Sequence, residues 1–380
     1  MDATPPTRPE QLTLSPISPV QSDMIRVARV LCILFMATTH IWPGSGRILA
    51  ADVPLPLHLL YVATVDFLGR ASVPLLSLIS GFLFVYTFQR ATAPGIVKSK
   101  LQSYIIPMIF WSLPIIALDF AEFHIRGNAV SVPASALDWL NSVLAITAGP
   151  ANGPLHFLRD IFIMSFYAIG VLSVWKLSKY WGMAIAIAIF LIEQIPGGFL
   201  LFRNQIATFY IAGIFLAAYA RFNQPPGWIA VLPLVAGLAF ARAAGLFNEL
   251  PSNPVLFRIV EHIPRIVMSL LMWRIAFDIA LRANTIRQLA LQIEPHIFTV
   301  FCIHGIVAKI FGGLAYLLTL SETAAYYPAI FLIQLIVSFV LGIAASKLLT
   351  PFPWLRGKST RRRPPQSGNA ASPVANPASN

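Results

Sequence analysis

MIRVARVLCILFMATTHIW, residues 24–42, is an apolar run of membrane-spanning length that nonetheless carries Arg26, Arg29 and His40. A hydrocarbon core of about 30 Å needs about 20 residues of helix, and this run has that length. Further runs of the same kind follow at about 68–89, 103–121, 155–175, 180–195, 205–220, 228–243, 263–281, 296–318 and 326–348. The chain is 57% hydrophobic and 11% charged, where an ordinary soluble domain carries about 25% charged residues. Folded in water, it would have too little polar surface to cover itself. In lipid every backbone group must be paired within the chain, and these runs are apolar all round instead of alternating, which favours helices over a barrel. The expected fold is therefore an all-α integral membrane protein of about ten transmembrane helices. The runs at 180–195 and 228–243 are short and bounded by Pro or Gly, so the count rests least on them.

Lys and Arg are distributed as a membrane would sort them. With a cytoplasmic N-terminus, sixteen fall on the inner side, among them Arg90, Lys98, Lys176, Arg282 and Arg361, against six outside: Arg47, Arg126, Arg203, Arg242, Arg258 and Arg265. That bias puts both termini in the cytoplasm and implies an even number of spans. The net charge of +12 reads as this topology signal, and no nucleic acid partner is expected. Residues 1–23 form a polar stretch rich in Pro, Thr and Ser, expected to be a disordered cytoplasmic N-terminus, and no cleavage-like motif closes the first run, which is read as a retained helix. Residues 24–349 form the membrane domain, and 350–380 a disordered basic cytoplasmic tail near anionic headgroups. Cys32 and Cys302 both lie in apolar runs and form no CxxC, so each reads as a small hydrophobe. No metal-spaced cluster and no Gly-rich phosphate loop occurs, so neither a metal nor a bound cofactor is expected. No internal repeat is evident, which weighs against a transporter built from duplicated halves.

Ionisable groups inside lipid are costly and mark candidate sites. Arg29 and His40 are eleven residues apart, close to three helical turns, so they share a face about 16 Å apart along the axis. The assumed topology puts Arg29 near the cytoplasmic entrance and His40 in the external half. A guanidinium can bind an anionic phosphate, and an imidazole can take a proton from an attacking hydroxyl. The plainer alternative is that Arg29 snorkels to the headgroups and His40 bonds a neighbouring helix. His156 and Asp160, at i and i+4, can form a carboxylate-oriented imidazole or simply cluster at a helix start. Arg70 can pair with Asp66 and Arg274 with Asp278 by the same spacing, and His304 and Lys309 lie on the ninth run.

The Arg29 to His40 spacing resembles the signature of the acyltransferase-3 family of integral membrane proteins. VPLLSLISGFLF at 73–84, KLQSYIIPMIFW at 100–111, PLHFLRDIFIM at 154–164, FYIAGIFLA at 209–217 and FCIHGIV at 301–307 are similar to later motifs of that family, in the same order. The resemblance implies a multi-pass protein of a bacterial inner membrane that moves an acyl group from cytoplasmic acyl-CoA, as co-substrate, to an extracytoplasmic glycan. Within the family, PLHFLRD and the Arg203–Gly213 stretch look most like succinyltransferases that decorate exopolysaccharides such as succinoglycan. By position His40 is then the catalytic residue and Arg29 binds acyl-CoA. Arg70 or Arg159 can meet the distal carboxylate of a dicarboxylate donor, His304 joins the substrate-binding set, and Ser80 and Gly81 serve close packing. The implied partners are acyl-CoA, a polysaccharide or lipid-linked oligosaccharide acceptor, and membrane lipid. A rival reading is a transporter or flippase for lipid-linked saccharides, with Arg29, Arg274 and Lys309 along an anion path.

Overall fold

A computed structural model describes residues 14–41, 55–127, 131–195, 200–219, 224–244, 254–317 and 326–358. Most of the N-terminal segment and the tail from residue 359 onward lie outside the described residues. Within the described residues the chain is helical and no strand occurs. In order the helices are α1 (Pro19–Ile41), α2 (Leu55–Tyr61), α3 (Arg70–Arg90), α4 (Ala93–Lys100), α5 (Ile106–Arg126), α6 (Ala136–Leu144) and α7 (His156–Trp175). They continue with α8 (Lys179–Gln194), α9 (Asn204–Tyr219), α10 (Trp228–Ala243), α11 (Pro254–Arg282), α12 (Asn284–Ile293), α13 (Ile297–Leu317) and α14 (Tyr326–Leu348). Wider π-helical turns join α2 to α3 at Val62–Gly69 and α4 to α5 at Leu101–Ile105.

Each of the ten apolar runs falls on a helix. Among the described residues, five stretches are long and apolar enough to cross a membrane: His58–Arg90, Ala93–Ile125, Gly153–Trp175, Asn284–Leu314 and Ile330–Leu348. The others differ from these for visible reasons. Helices α8, α9 and α10 have 16 residues each. Helix α1 opens with Asp23, Arg26 and Arg29, and α11 carries Glu261, Arg265, Arg274, Asp278 and Arg282. Length and composition alone therefore leave the count of ten and the placement of the termini as expectations.

Helix α1 starts several residues before its apolar run. Ser18 accepts from the Gln21 amide at 3.2 Å while the Gln21 side chain accepts from the Ser18 amide at 2.8 Å, a capping box with Pro19 at the first helical position. Helix α3 is the centre of the packing and buries residues on all sides, including Ala71, Leu75, Ile79, Phe82 and Val85. It lies against α1, α7, α9 and α11. Lipid offers no hydrophobic drive between helices, so close backbone approach has to supply the attraction. At the α3–α9 crossing it does: a Cβ on Gly81 would lie 2.0 Å from the Tyr210 carbonyl oxygen, and one on Gly213 2.1 Å from that of Leu78. Gly81 thus has the packing role expected for it, because the atom it meets is backbone and cannot swing aside. Replacing Gly81 with Val should force the two helices apart and destabilise the protein by about 3 kcal/mol. Thermal unfolding of detergent-solubilised protein would show this as a lowered midpoint and loss of monodisperse material.

Candidate functional site

The site is built on two helical segments that run side by side in one direction. Arg29 on α1 pairs with Glu294 at 3.2 Å. At the far end of the same face the His40 ring lies against the His304 ring of α13, with centroids 5.4 Å apart. On α1 the two contact residues are separated by eleven helical steps, about 16 Å. On the partner segment they are ten steps apart, but Glu294–His296 is a 3₁₀ turn, whose rise of about 2 Å per residue makes up the difference. Both pairs can therefore close without bending either helix.

At the Arg29 end Glu294 also meets Arg26 at 3.4 Å, and Arg26 donates to the Leu291 carbonyl at 3.0 Å. A cavity of about 350 Å³ opens here. Arg29, Glu294, Arg356 and Lys358 line it, with Ser80 and Tyr104 beside them and an apolar wall that includes Phe157, Ile161 and Phe301. The wall leads toward the histidines: Phe157 packs on Phe301 at 6.2 Å, and Phe301 on His304 at 5.8 Å. The cavity thus has a cationic mouth and an apolar body, with an imidazole pair beyond its inner wall.

His304 is fully buried. Its Nδ1 lies 2.5 Å from the Phe301 carbonyl oxygen, which can only accept, so Nδ1 carries the proton. Nε2 is then a bare acceptor, and it has no hydrogen-bond partner among the described residues. His40, by contrast, is exposed. Among the described residues, His304, His156 and Arg203 lie within electrostatic range of it. Gly305 explains how the loop before α7 reaches this place. A Cβ there would lie 2.5 Å from the Asn152 side-chain oxygen. Asn152 in turn donates to the carbonyls of Trp111 and Cys302, both at 3.0 Å, and so fixes the start of α7 beside His304.

Of the residues singled out in the sequence, Arg29, His40 and His304 come together along this track, with His156 near its inner end. The others are engaged elsewhere. Asp160 is completely buried and accepts from Arg159 at 2.9 Å and from the Phe202 and Arg203 amides at 3.3 and 3.0 Å. It organises the approach to α9 in place of orienting His156, whose Nδ1 faces the Gly153 carbonyl at 2.6 Å. Arg159 also donates to the Leu200 carbonyl and stacks over Phe202 at 4.4 Å. Arg70 pairs with Asp66 at 3.4 Å, where Arg242 joins them. Arg274 binds Asp278 at 2.8 Å, and Lys309 binds Asp119 and Glu122 at 2.9 and 2.5 Å. Glu294, Arg203, Arg356 and Lys358 were not singled out as site residues from the sequence. Glu294 had a usable signal: its ten-residue separation from His304 mirrors the eleven from Arg29 to His40.

A family model described as an acyltransferase domain, that of the acyltransferase-3 family, matches residues 23–343. The chain is 23% identical over 302 residues to the succinoglycan biosynthesis protein ExoH of Rhizobium meliloti (strain 1021), an alignment covering 75% of this chain and 76% of that protein. No solved structure matches.

The pairing at the cavity mouth is testable by a double-mutant cycle of Arg29→Ala and Glu294→Ala. Arg29 is 40% exposed and Glu294 17%, so the coupling should be modest, about 0.5–1 kcal/mol. Unfolding midpoints of the four proteins give it directly.

Proposed function

The chain belongs to the acyltransferase-3 family and is a membrane acyltransferase that transfers groups other than aminoacyl groups; from that premise we propose that it carries an acyl group, succinyl in preference to acetyl, from acyl-CoA to a sugar hydroxyl of an exopolysaccharide or its lipid-linked precursor. The observation that carries this reading is the track from Arg29 to His40, cationic at one end and imidazole-lined at the other. In an inner membrane with the N-terminus inside, acyl-CoA meets the Arg29 end from the cytoplasm. Its acyl chain then points along the apolar wall toward His40, and the acceptor approaches from the outer side. The relative's part in succinoglycan biosynthesis supports an exopolysaccharide acceptor.

The chemistry follows from the two histidines. The sugar oxygen attacks the thioester carbonyl while its proton passes to a His40 nitrogen. The tetrahedral species collapses, the carbon–sulfur bond breaks, and the thiolate leaves as a thiol with the proton returned from His40. His304, its tautomer fixed by Phe301, offers the bare Nε2 either to a His40 N–H or to the acceptor hydroxyl, and so orients one or the other.

Succinyl brings a second carboxylate that needs a cation near His40. Arg70 and Arg159, the cations named for this role from the sequence, are bound to Asp66 and Asp160. Arg203 is the better fit. It is exposed, its backbone is held by Asp160, it acts electrostatically on both His40 and His156, and no carboxylate pairs with its guanidinium among the described residues. Replacing His40 with Ala should abolish ester-linked acyl groups on the cell's polysaccharide at normal membrane levels of the protein; undiminished acylation would remove His40 from the chemistry. Replacing Arg203 with Ala should lower succinyl transfer about tenfold relative to acetyl transfer, read with purified protein given each acyl-CoA in turn. An unchanged ratio would take Arg203 out of donor selection.

A further inference from the structure

The chain does not leave the site at the end of α14. Residues 353–356 form a 3₁₀ turn that folds back under the cavity. Trp111 Nε1 donates to the Leu355 carbonyl at 3.2 Å, and Arg356 Nε to Ser346 Oγ at 3.1 Å. The turn ends at Gly357 with φ +69°, where a Cβ would also press on the Phe298 ring at 2.9 Å. Glycine is required there on both counts, because the left-handed backbone is unfavourable for other residues and the ring leaves no space. The consequence is that Arg356 and Lys358 are held at the wall of the cavity that Arg29 also lines, by a segment whose composition reads as a polar basic tail.

Three cations, Arg29, Arg356 and Lys358, therefore line one cavity with a single carboxylate, Glu294. That carboxylate is already shared between Arg26 and Arg29. Positive charge is left over, and it is left over where the charges repel: partial burial and the Arg356 guanidinium push the Lys358 ammonium below the usual lysine range, with Glu294 opposing. A stable fold that holds like charges together at the mouth of a ligand-sized cavity is preorganised for an anion. An anion that answers three cations lining one cavity carries more than one negative charge.

We propose that Arg356 and Lys358 form, with Arg29, the phosphate subsite of the donor cavity, and that they bind the 3′-phosphate and diphosphate of CoA while the acyl chain runs toward His40. This rests on the acyl-CoA reading above. Both side chains would act as fixed counter-charges to the nucleotide end of the donor and take no part in the transfer of protons. The same phosphate chemistry is offered by anionic lipid headgroups, and the test separates the two sources.

Purified protein in a zwitterionic detergent would be titrated with CoA, dephospho-CoA and pantetheine, as wild type, as Lys358→Gln, as Arg356→Gln and as Arg356→Lys. The subsite predicts that Lys358→Gln and Arg356→Gln each weaken CoA binding about tenfold, that high salt erodes the wild-type advantage, and that pantetheine binds all four proteins alike. Lys358 makes no side-chain hydrogen bond among the described residues, so Lys358→Gln remains informative if Arg356→Gln, which loses the Ser346 and Thr350 bonds, fails to fold. Arg356→Lys should restore part of the affinity. If wild type binds CoA and Lys358→Gln binds it equally well, the subsite is wrong and the acyl-CoA reading stands. If wild type binds no CoA at all, the donor reading itself fails. If the variants keep CoA affinity but lose stabilisation by added phosphatidylglycerol, the cations serve lipid headgroups and the proposal is overturned.

Discussion

Everything at this site depends on α1 lying in register beside the segment from Glu294 to His304. The register is set by two contacts of different kinds. One is an ion pair, Arg29 with Glu294 at 3.2 Å; the other is the packing of two imidazoles with centroids 5.4 Å apart. Sliding α1 by one helical turn, about 5.4 Å, would separate the two imidazoles, whereas in one direction it would let Arg26, which already meets Glu294 at 3.4 Å, take the place of Arg29. The ion pair therefore anchors one end of the segment, and the ring packing decides between registers one turn apart.

The same logic separates the charges that hold the fold from those that serve the site. Arg274 binds Asp278, Lys309 bridges Asp119 and Glu122, and Arg70 and Arg242 share Asp66, so each of these cations has a carboxylate partner. Asp160 is a further case, a buried carboxylate satisfied by two backbone amides and Arg159. Around the cavity Glu294 is the one carboxylate among the lining residues and is shared by Arg26 and Arg29, while Arg356 and Lys358 have no carboxylate pair among the described residues.

The sequence made the helical fold legible because lipid reduces the problem to length and composition, and it made Arg29 and His40 legible because three helical turns put both on one face. The i, i+4 pairs Arg70–Asp66 and Arg274–Asp278 were readable for the same local reason. What it hid was contact between residues far apart in the chain. Asp160 and His156 do share a helix face, but nothing within α7 says that the amides of Phe202 and Arg203 will claim the carboxylate. Glu294 lies 265 residues from Arg29, and Arg356 sits in a stretch whose composition reads as tail. There a positive-φ glycine and one ring contact decide the local fold, and neither has a compositional signature.

His304 presents the sharpest physical question. Leaving a buried ring nitrogen without a partner costs about 1–3 kcal/mol, and replacing it with an apolar side chain would recover that. The fold instead spends a short bond to Phe301 on fixing the tautomer and sets the ring, its Nε2 without a hydrogen-bond partner among the described residues, beside the His40 imidazole. An acceptor held in one orientation suits the proposed transfer, in which it takes a hydrogen bond from a His40 N–H or from the hydroxyl of an acceptor sugar, and its ring lies where the track from Arg29 ends.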